Sequence, residues 1–178
     1  MIELRPPDES FRVACEEWVA HPNFGGGDFE TLGMSAPEIT AYFENFPGVG
    51  AAVWYGGKVI GFAGIKDVSA LHGTASFVAR TMPTGNWGYH TLCASIQFLD
   101  RSFRVVNLWK VSVRRAKKLR RDDGFWRLEW VEEDARRGLD GCREPMYHYA
   151  ITRPEFYENR ITKRTLNHGG RKFRIRAV

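Results

Sequence analysis

The stretch TASFVARTMPTGNWGYHTLCASIQFLDRSF, from Thr74 to Phe103, decides how the rest of the chain is read. Ala75, Phe77 and Ala79 alternate with Ser76 and Val78, the two-residue period of a β-strand. A loop with Gly85 and Gly88 follows, after which Leu92, Ile96, Leu99 and Phe103 recur at the spacing of one helical face. A strand that enters a helix through such a loop gathers free backbone N–H groups and the positive end of the helix dipole at one point. That arrangement suits a phosphate.

Upstream, the alternating apolar runs 49–55 and 58–65 meet at Gly56-Gly57, the pattern of a two-residue β-hairpin. Before them, Ser35 opens a helix as a capping box with Glu38, with Pro37 in the first turn and Ile39, Tyr42, Phe43 and Phe46 as its buried stripe. Residues 2–5 read as a short strand stopped by Pro6-Pro7. Asp8 then caps a helix whose apolar face is Phe11, Ala14, Cys15, Trp18 and Val19. The glycine-rich segment 21–34 follows no strand and lacks a Gly-Lys-Ser/Thr sequence, so its Gly25-Gly26-Gly27 run reads as a connector.

Downstream, 105–113 reads as a strand with Val105, Asn107, Trp109, Val111 and Val113 on one face. A short basic helix follows and ends near Gly124. Strands at 125–131 and 145–151 flank the polar loop 134–142, and Thr152 caps a last helix through Glu155. The order β-α-α-β-β-β-α-β-α-β-β, with one βαβ crossover, predicts an α/β (α+β) domain. Its centre is a mixed, mostly antiparallel sheet of about seven strands flanked by helices on both faces.

At 178 residues, with 43% hydrophobic and 26% charged side chains, the chain has the composition of one soluble globular domain. No apolar run approaches the roughly 20 residues of a membrane helix, and the N-terminus lacks a signal-peptide core. Cys15, Cys93 and Cys142 form no CxxC pair, which points to a reducing compartment, the cytoplasm by default, and away from a thiolate zinc site. The five histidines (21, 72, 90, 148 and 168) show neither HxH nor HExxH spacing, so no metal site is expected. The net charge of +5 resides in the tail: residues 159–178 carry seven basic side chains and no acidic one. The domain is therefore drawn over 1–160, with 161–178 as a basic C-terminal tail. That tail is a solvated arm or a contact for nucleic acid or another acidic surface.

The element order, together with GGKVIGFAGI at 56–65, Trp87-Gly88 at the helix start, DDGFWRLEW at 122–130 and MYHYAITRPEFYENR at 146–160, resembles the GNAT superfamily of acyl-CoA N-acyltransferases. It is most similar to the branch that acetylates N-terminal amines of ribosomal proteins and to related small-amine acetyltransferases. The resemblance implies that the strand before the loop and the strand after the helix splay, with the pantetheine arm of acetyl-CoA along Phe77, Val78 and Ala79. It implies a pyrophosphate site on Arg80, Thr84, Gly85, Asn86, Trp87, Gly88, Tyr89 and His90. His90 stands where the family has a second glycine. The family's usual Asn and thiolate-protonating Tyr are replaced near Val113-Arg114 and at Arg120.

Acetyl transfer to an amine needs a neutral amine, a stabilised oxyanion and a proton for the departing thiolate. Ser112 is placed to serve the sulfur. His72, Asp67, Tyr147 and His148 are candidates for the amine's proton, each with a duller reading as a surface or packing residue. Cys93 shares a helix with Leu92 and Ile96 and reads as core. The partners expected are acetyl-CoA and a primary-amine acceptor on a peptide, protein or small molecule, and no membrane. Two alternatives stay open. One is a catalytically degenerate GNAT-fold binding or structural protein, as in bacteriophage particles. The other is an enzyme acting on a nucleic-acid amine through the basic tail.

Overall fold

The computed structural model describes residues 2–20, 35–81, 87–115, 126–137, 142–162, 165–168 and 171–174. In chain order the elements are β1 (Ile2–Arg5), α1 (Glu9–Ala20), α2 (Ala36–Glu44), β2 (Gly48–Tyr55), β3 (Lys58–Ser69), β4 (Thr74–Thr81) and α3 (Trp87–Val105). They continue as β5 (Lys110–Arg115), β6 (Arg127–Arg137), β7 (Arg143–Thr152), α4 (Arg153–Thr162), β8 (Thr165–His168) and β9 (Arg171–Arg174). Strands one to seven form a sheet in the order β1-β2-β3-β4-β5-β7-β6. Every pairing in it is antiparallel except β4 with β5, the pair that α3 connects. The predicted fold class holds.

Local chemistry explains most of the elements. Gly56 and Gly57 sit at φ 57° and 79°, the left-handed pair that a two-residue hairpin demands, and they fold β2 onto β3. The Glu38 carboxylate accepts from both the Ser35 backbone N–H (2.7 Å) and its hydroxyl (2.6 Å), fixing the start of α2. Asp8 accepts from the Phe11 N–H at 3.1 Å and opens α1. Glu155 accepts from the Thr152 N–H (2.8 Å) and hydroxyl (2.7 Å) at the head of α4.

Two apolar clusters lie on opposite faces of the sheet, as the alternation of Ala52 with Val53 and of Phe62 with Ala63 shows. On one face α1 and α2 supply Phe11, Trp18 and Phe43, which meet Ala52, Trp54 and Phe62. On the other, α3 and α4 bury Ile96, Phe98, Leu99, Phe103 and Phe156 against Val53, Ile65, Phe77, Val111, Tyr149 and Ile151. Cys15 is buried in the first cluster, and burial pushes its thiol up to about 12, so it stays protonated and inert.

Three expectations are corrected. The strand expected over 105–113 is shorter, because α3 continues through Val105 and β5 begins only at Lys110. Asn107 takes a left-handed turn (φ 55°), Leu108 rather than Trp109 is buried, and Trp109 is 57% exposed. The turn is tied down by the Gly73 carbonyl, which accepts from the N–H of Trp109 (2.6 Å) and of Lys110 (3.1 Å). Arg114 and Arg115, read as the start of a basic helix, belong to β5, and the remainder of that segment, 116–125, lies outside the described residues. The 134–142 loop is shorter than expected, since β6 runs to Arg137. In the tail, α4 extends to Thr162, and β8 pairs with β9 in a separate two-stranded sheet.

Candidate functional site

The site begins where a strand pairing stops. β4 and β5 share three rungs, Thr74 with Lys110, Ala75 with Val111 and Ser76 with Ser112. Beyond them each strand keeps only its outer neighbour. Phe77 to Thr81 stay on β3, opposite residues 65 to 61, while Val113, Arg114 and Arg115 stay on β7, opposite Tyr149, His148 and Tyr147. The two strands thus diverge into a V, and the inner edge of β4 from Phe77 to Ala79 presents backbone groups that no described strand takes up. Such an edge is a ready acceptor for an amide-bearing ligand arm.

Ser112 stands at the vertex, half-buried, its hydroxyl donating to the Ala75 carbonyl at 3.4 Å. Phe77 forms the wall on the α3 side, stacked on Trp126 (5.7 Å between centroids) and packed against Phe98 (6.1 Å). Trp126 was not foreseen as part of this wall. It lies just before β6, which β5 and β7 separate from β4, and no local period announces that contact.

At the wide end of the V, β4 leads toward the N-terminus of α3. The backbone N–H groups of Trp87, Gly88, Tyr89 and His90 occupy the first turn, where a helix has no internal acceptors for them. Thr84, Gly85 and Asn86 lie outside the described residues, as do the side chains of Trp87 and Tyr89. His90, also in that first turn, has its ring against the sheet. It is buried and packs on Tyr55 of β2, centroids 4.3 Å apart. Burial holds its imidazole below the usual histidine range, so the ring is neutral near pH 7.

On the α1/α2 face of the sheet, Ser112, Arg114 and His148 lie on the strand positions that alternate with the buried Val111, Val113 and Tyr149. His148 stacks on Trp130 of β6, with centroids 3.6 Å apart and planes 11° from parallel. Its Nε2 lies 3.1 Å from a Glu132 carboxylate oxygen. Sequence reasoning found His148 and missed Trp130 and Glu132. The β6–β7 register shifts near Leu128/Trp130 and again between Glu132 and Arg136, so counting along the strands does not pair them.

The structure leaves His72 and Asp67 away from the V and sets Tyr147 beside the β5 limb, on the α3 face. His72 is exposed in the turn before β4, at the closed end of the β4–β5 pair, with its N–H on the Ser69 hydroxyl at 3.3 Å. Asp67 is a bulge residue (φ 52°) near that same end. Tyr147 packs against the α3/α4 cluster, on the face opposite His148. Cys93 is partly buried against that cluster, as expected of a core residue. Among the described residues, no three His, Cys, Asp or Glu side chains gather as metal ligands.

Neither a protein-family model nor a curated protein matches this sequence. Solved structures do. A crystal structure described as that of an acetyltransferase superimposes with a TM-score of 0.71 at 17% identity, over 92% of this chain and 89% of that one. A GCN5-related N-acetyltransferase from Brucella melitensis gives 0.70 at 13% identity, over 86% and 76%. The fold is the GCN5-related N-acetyltransferase (GNAT) fold. Spermidine N-acetyltransferase from Vibrio cholerae, solved with CoA and spermine, gives 0.68 at 16% identity over 88% of this chain and 98% of that one. Among the described residues, no helix of this GNAT-fold chain is long and apolar enough to cross a membrane.

Proposed function

We propose that this protein is an acetyl-CoA-dependent N-acetyltransferase that acts on a primary amine of a peptide, protein or small molecule. The observation that carries the reading is the V between β4 and β5, which opens after Ser76 and Ser112 toward the first turn of α3. Pantetheine would add to the edge Phe77–Ala79, and the diphosphate would meet the N–H groups of residues 87–90, with Arg80 adding positive charge. Ser112, at the vertex, would donate to the departing sulfur. The reading is supported by the fold shared with an enzyme solved with CoA and an amine. The ribosomal-protein branch remains one candidate for the acceptor class, alongside polyamines.

Calorimetric titration with acetyl-CoA tests this. Micromolar saturable binding, together with thiol release in the presence of spermine or short peptides with free N-termini, is expected. No heat and no thermal shift would remove the reading.

The absence of the family tyrosine, with Arg120 at its position, favours a second reading: a GNAT-fold protein that binds a partner without turnover, as in a phage particle. Binding of acetyl-CoA without thiol release would favour it. Arg171, Lys172 and Arg174, close together in β9, support a nucleic-acid contact for the tail in either case. Salt-dependent binding lost on deleting 161–178 is its test. Cytoplasmic localisation rests on the three thiols, none of them in a disulfide.

A further inference from the structure

The structure assigns His148 as the base that takes the proton from the acceptor amine, with Glu132 and Trp130 as its positioning residues. This rests on the acetyl-transfer reading and adds the group that reading lacks on the acceptor side. Position is the first ground. His148 pairs in register with Arg114, on the part of β5 that has already left β4. It shares the sheet face of Ser112, one strand over and two residues along, a diagonal of about 7–8 Å. One water spans the rest of such a gap.

Tautomer is the second ground. Nε2 lies 3.1 Å from a Glu132 carboxylate oxygen, a contact that suits the Nε2–H tautomer and leaves the lone pair on Nδ1, and Nδ1 has no hydrogen-bond partner among the described residues. Base, orienting carboxylate and nearby hydroxyl form the arrangement by which a proton acceptor is held for use. Trp130 lies flat on the ring and limits its rotation, while remaining 50% exposed itself. The charged groups facing the imidazole are Glu132 from β6 and Arg114 from β5.

The step balances without a further reagent. The acceptor R–NH3+ passes one proton through water to Nδ1. The neutral nitrogen attacks the thioester carbonyl carbon, the C–N bond forms, and the C–S bond breaks. The thiolate leaves with the electron pair and takes up the second amine proton, with Ser112 at the vertex relaying it. The imidazolium then releases its proton to solvent, giving the acetamide, the CoA thiol and one proton.

The test is thiol release from acetyl-CoA, with spermine and with a short peptide bearing a free N-terminus, between about pH 6 and 9. His148→Gln is expected to lower kcat about 100-fold at unchanged KM for acetyl-CoA and unchanged Tm, and to abolish the acid limb of the rate profile. Glu132→Gln, which keeps the ring and its stacking, is expected to lower kcat about tenfold and to move that limb. A His148→Gln protein with wild-type turnover overturns the assignment and leaves the acetyl-transfer reading intact. Should His148→Gln lower Tm instead, an unmoved limb in Glu132→Gln overturns it. A wild type that binds acetyl-CoA but acetylates neither acceptor overturns this assignment and the acetyl-transfer reading together.

Discussion

One face of the sheet has two unlike halves. Over β2 and β3 it is sealed by α1 and α2, with Phe62 at the centre, its ring 5.8 Å from Phe11, 4.9 Å from Phe43 and 5.0 Å from Phe46. Over β5, β7 and β6 the same face carries Ser112, Arg114, His148 and Trp130, half-buried or exposed. The first half packs its sheet-facing rings against one another. The second keeps polar groups in place through pairings of strand with strand. Stability and chemistry are thereby separated, and changes in one half should leave the other largely unmoved.

The largest expected effect breaks the sealed half. Phe62→Ala should cost about 3–5 kcal/mol of unfolding free energy, because the surrounding rings cannot collapse into the space. Denaturant unfolding measures that loss, and KM for acetyl-CoA in the remaining folded protein should not change. Next comes the open half: Ser112→Ala should lower kcat about tenfold, or about 1.4 kcal/mol of barrier, with Tm unchanged. A fall in Tm with kcat intact would show that the hydroxyl only ties β5 to β4.

Glu155 sharpens the contrast, since it is a polar residue used for stability. Burial raises its carboxyl, but bonds from the Thr152 N–H and hydroxyl and from Arg127 (3.0 Å) hold it below the ordinary 4.5. A carboxyl lowered by folding stabilises above pH 4.5 and loses that contribution as pH falls through its folded value. Glu155→Gln should therefore cost about 1 kcal/mol at pH 7, and the gap between mutant and wild type should close in acid. Thermal melts at the two pH values check this.

The smallest effect concerns His90, whose buried ring resists protonation. Its unfolded value is 6.5 and its folded value is lower, so its contribution is complete above pH 6.5 and declines as pH falls below it. His90→Phe should flatten that part of the stability–pH curve, as denaturant unfolding at several pH values would show.

Much of the packing on both faces of the sheet is legible from residues alone. The Gly56-Gly57 turn, the Ser35–Glu38 and Thr152–Glu155 caps, and the stripes of α1, α2 and α3 are short-range signals, each complete within a few residues. Errors cluster where local signals compete. Around Asn107, a β-branched and aromatic alternation imitates a strand while the α3 stripe continues to Phe103 and the Val106 N–H still reaches the Ser102 carbonyl at 3.0 Å. The long-range bond from Trp109 to Gly73 decides where the strand begins.

The candidate site divides along the same line. Read along the chain, local patterns set out the strand at 74–81 and the helix after it, the apolar faces, and Ser112 and His148 as polar strand positions. Side-chain periodicity and capping chemistry need only neighbours in the chain. Three features come from long-range packing alone: β4 leaves β5 after Ser76, Trp126 stacks on Phe77, and Trp130 and Glu132 meet His148. These depend on strand pairings between segments far apart in sequence, and in β6 on bulges that shift the register. A shift of one residue turns every later side chain to the opposite face and leaves no trace in the local pattern.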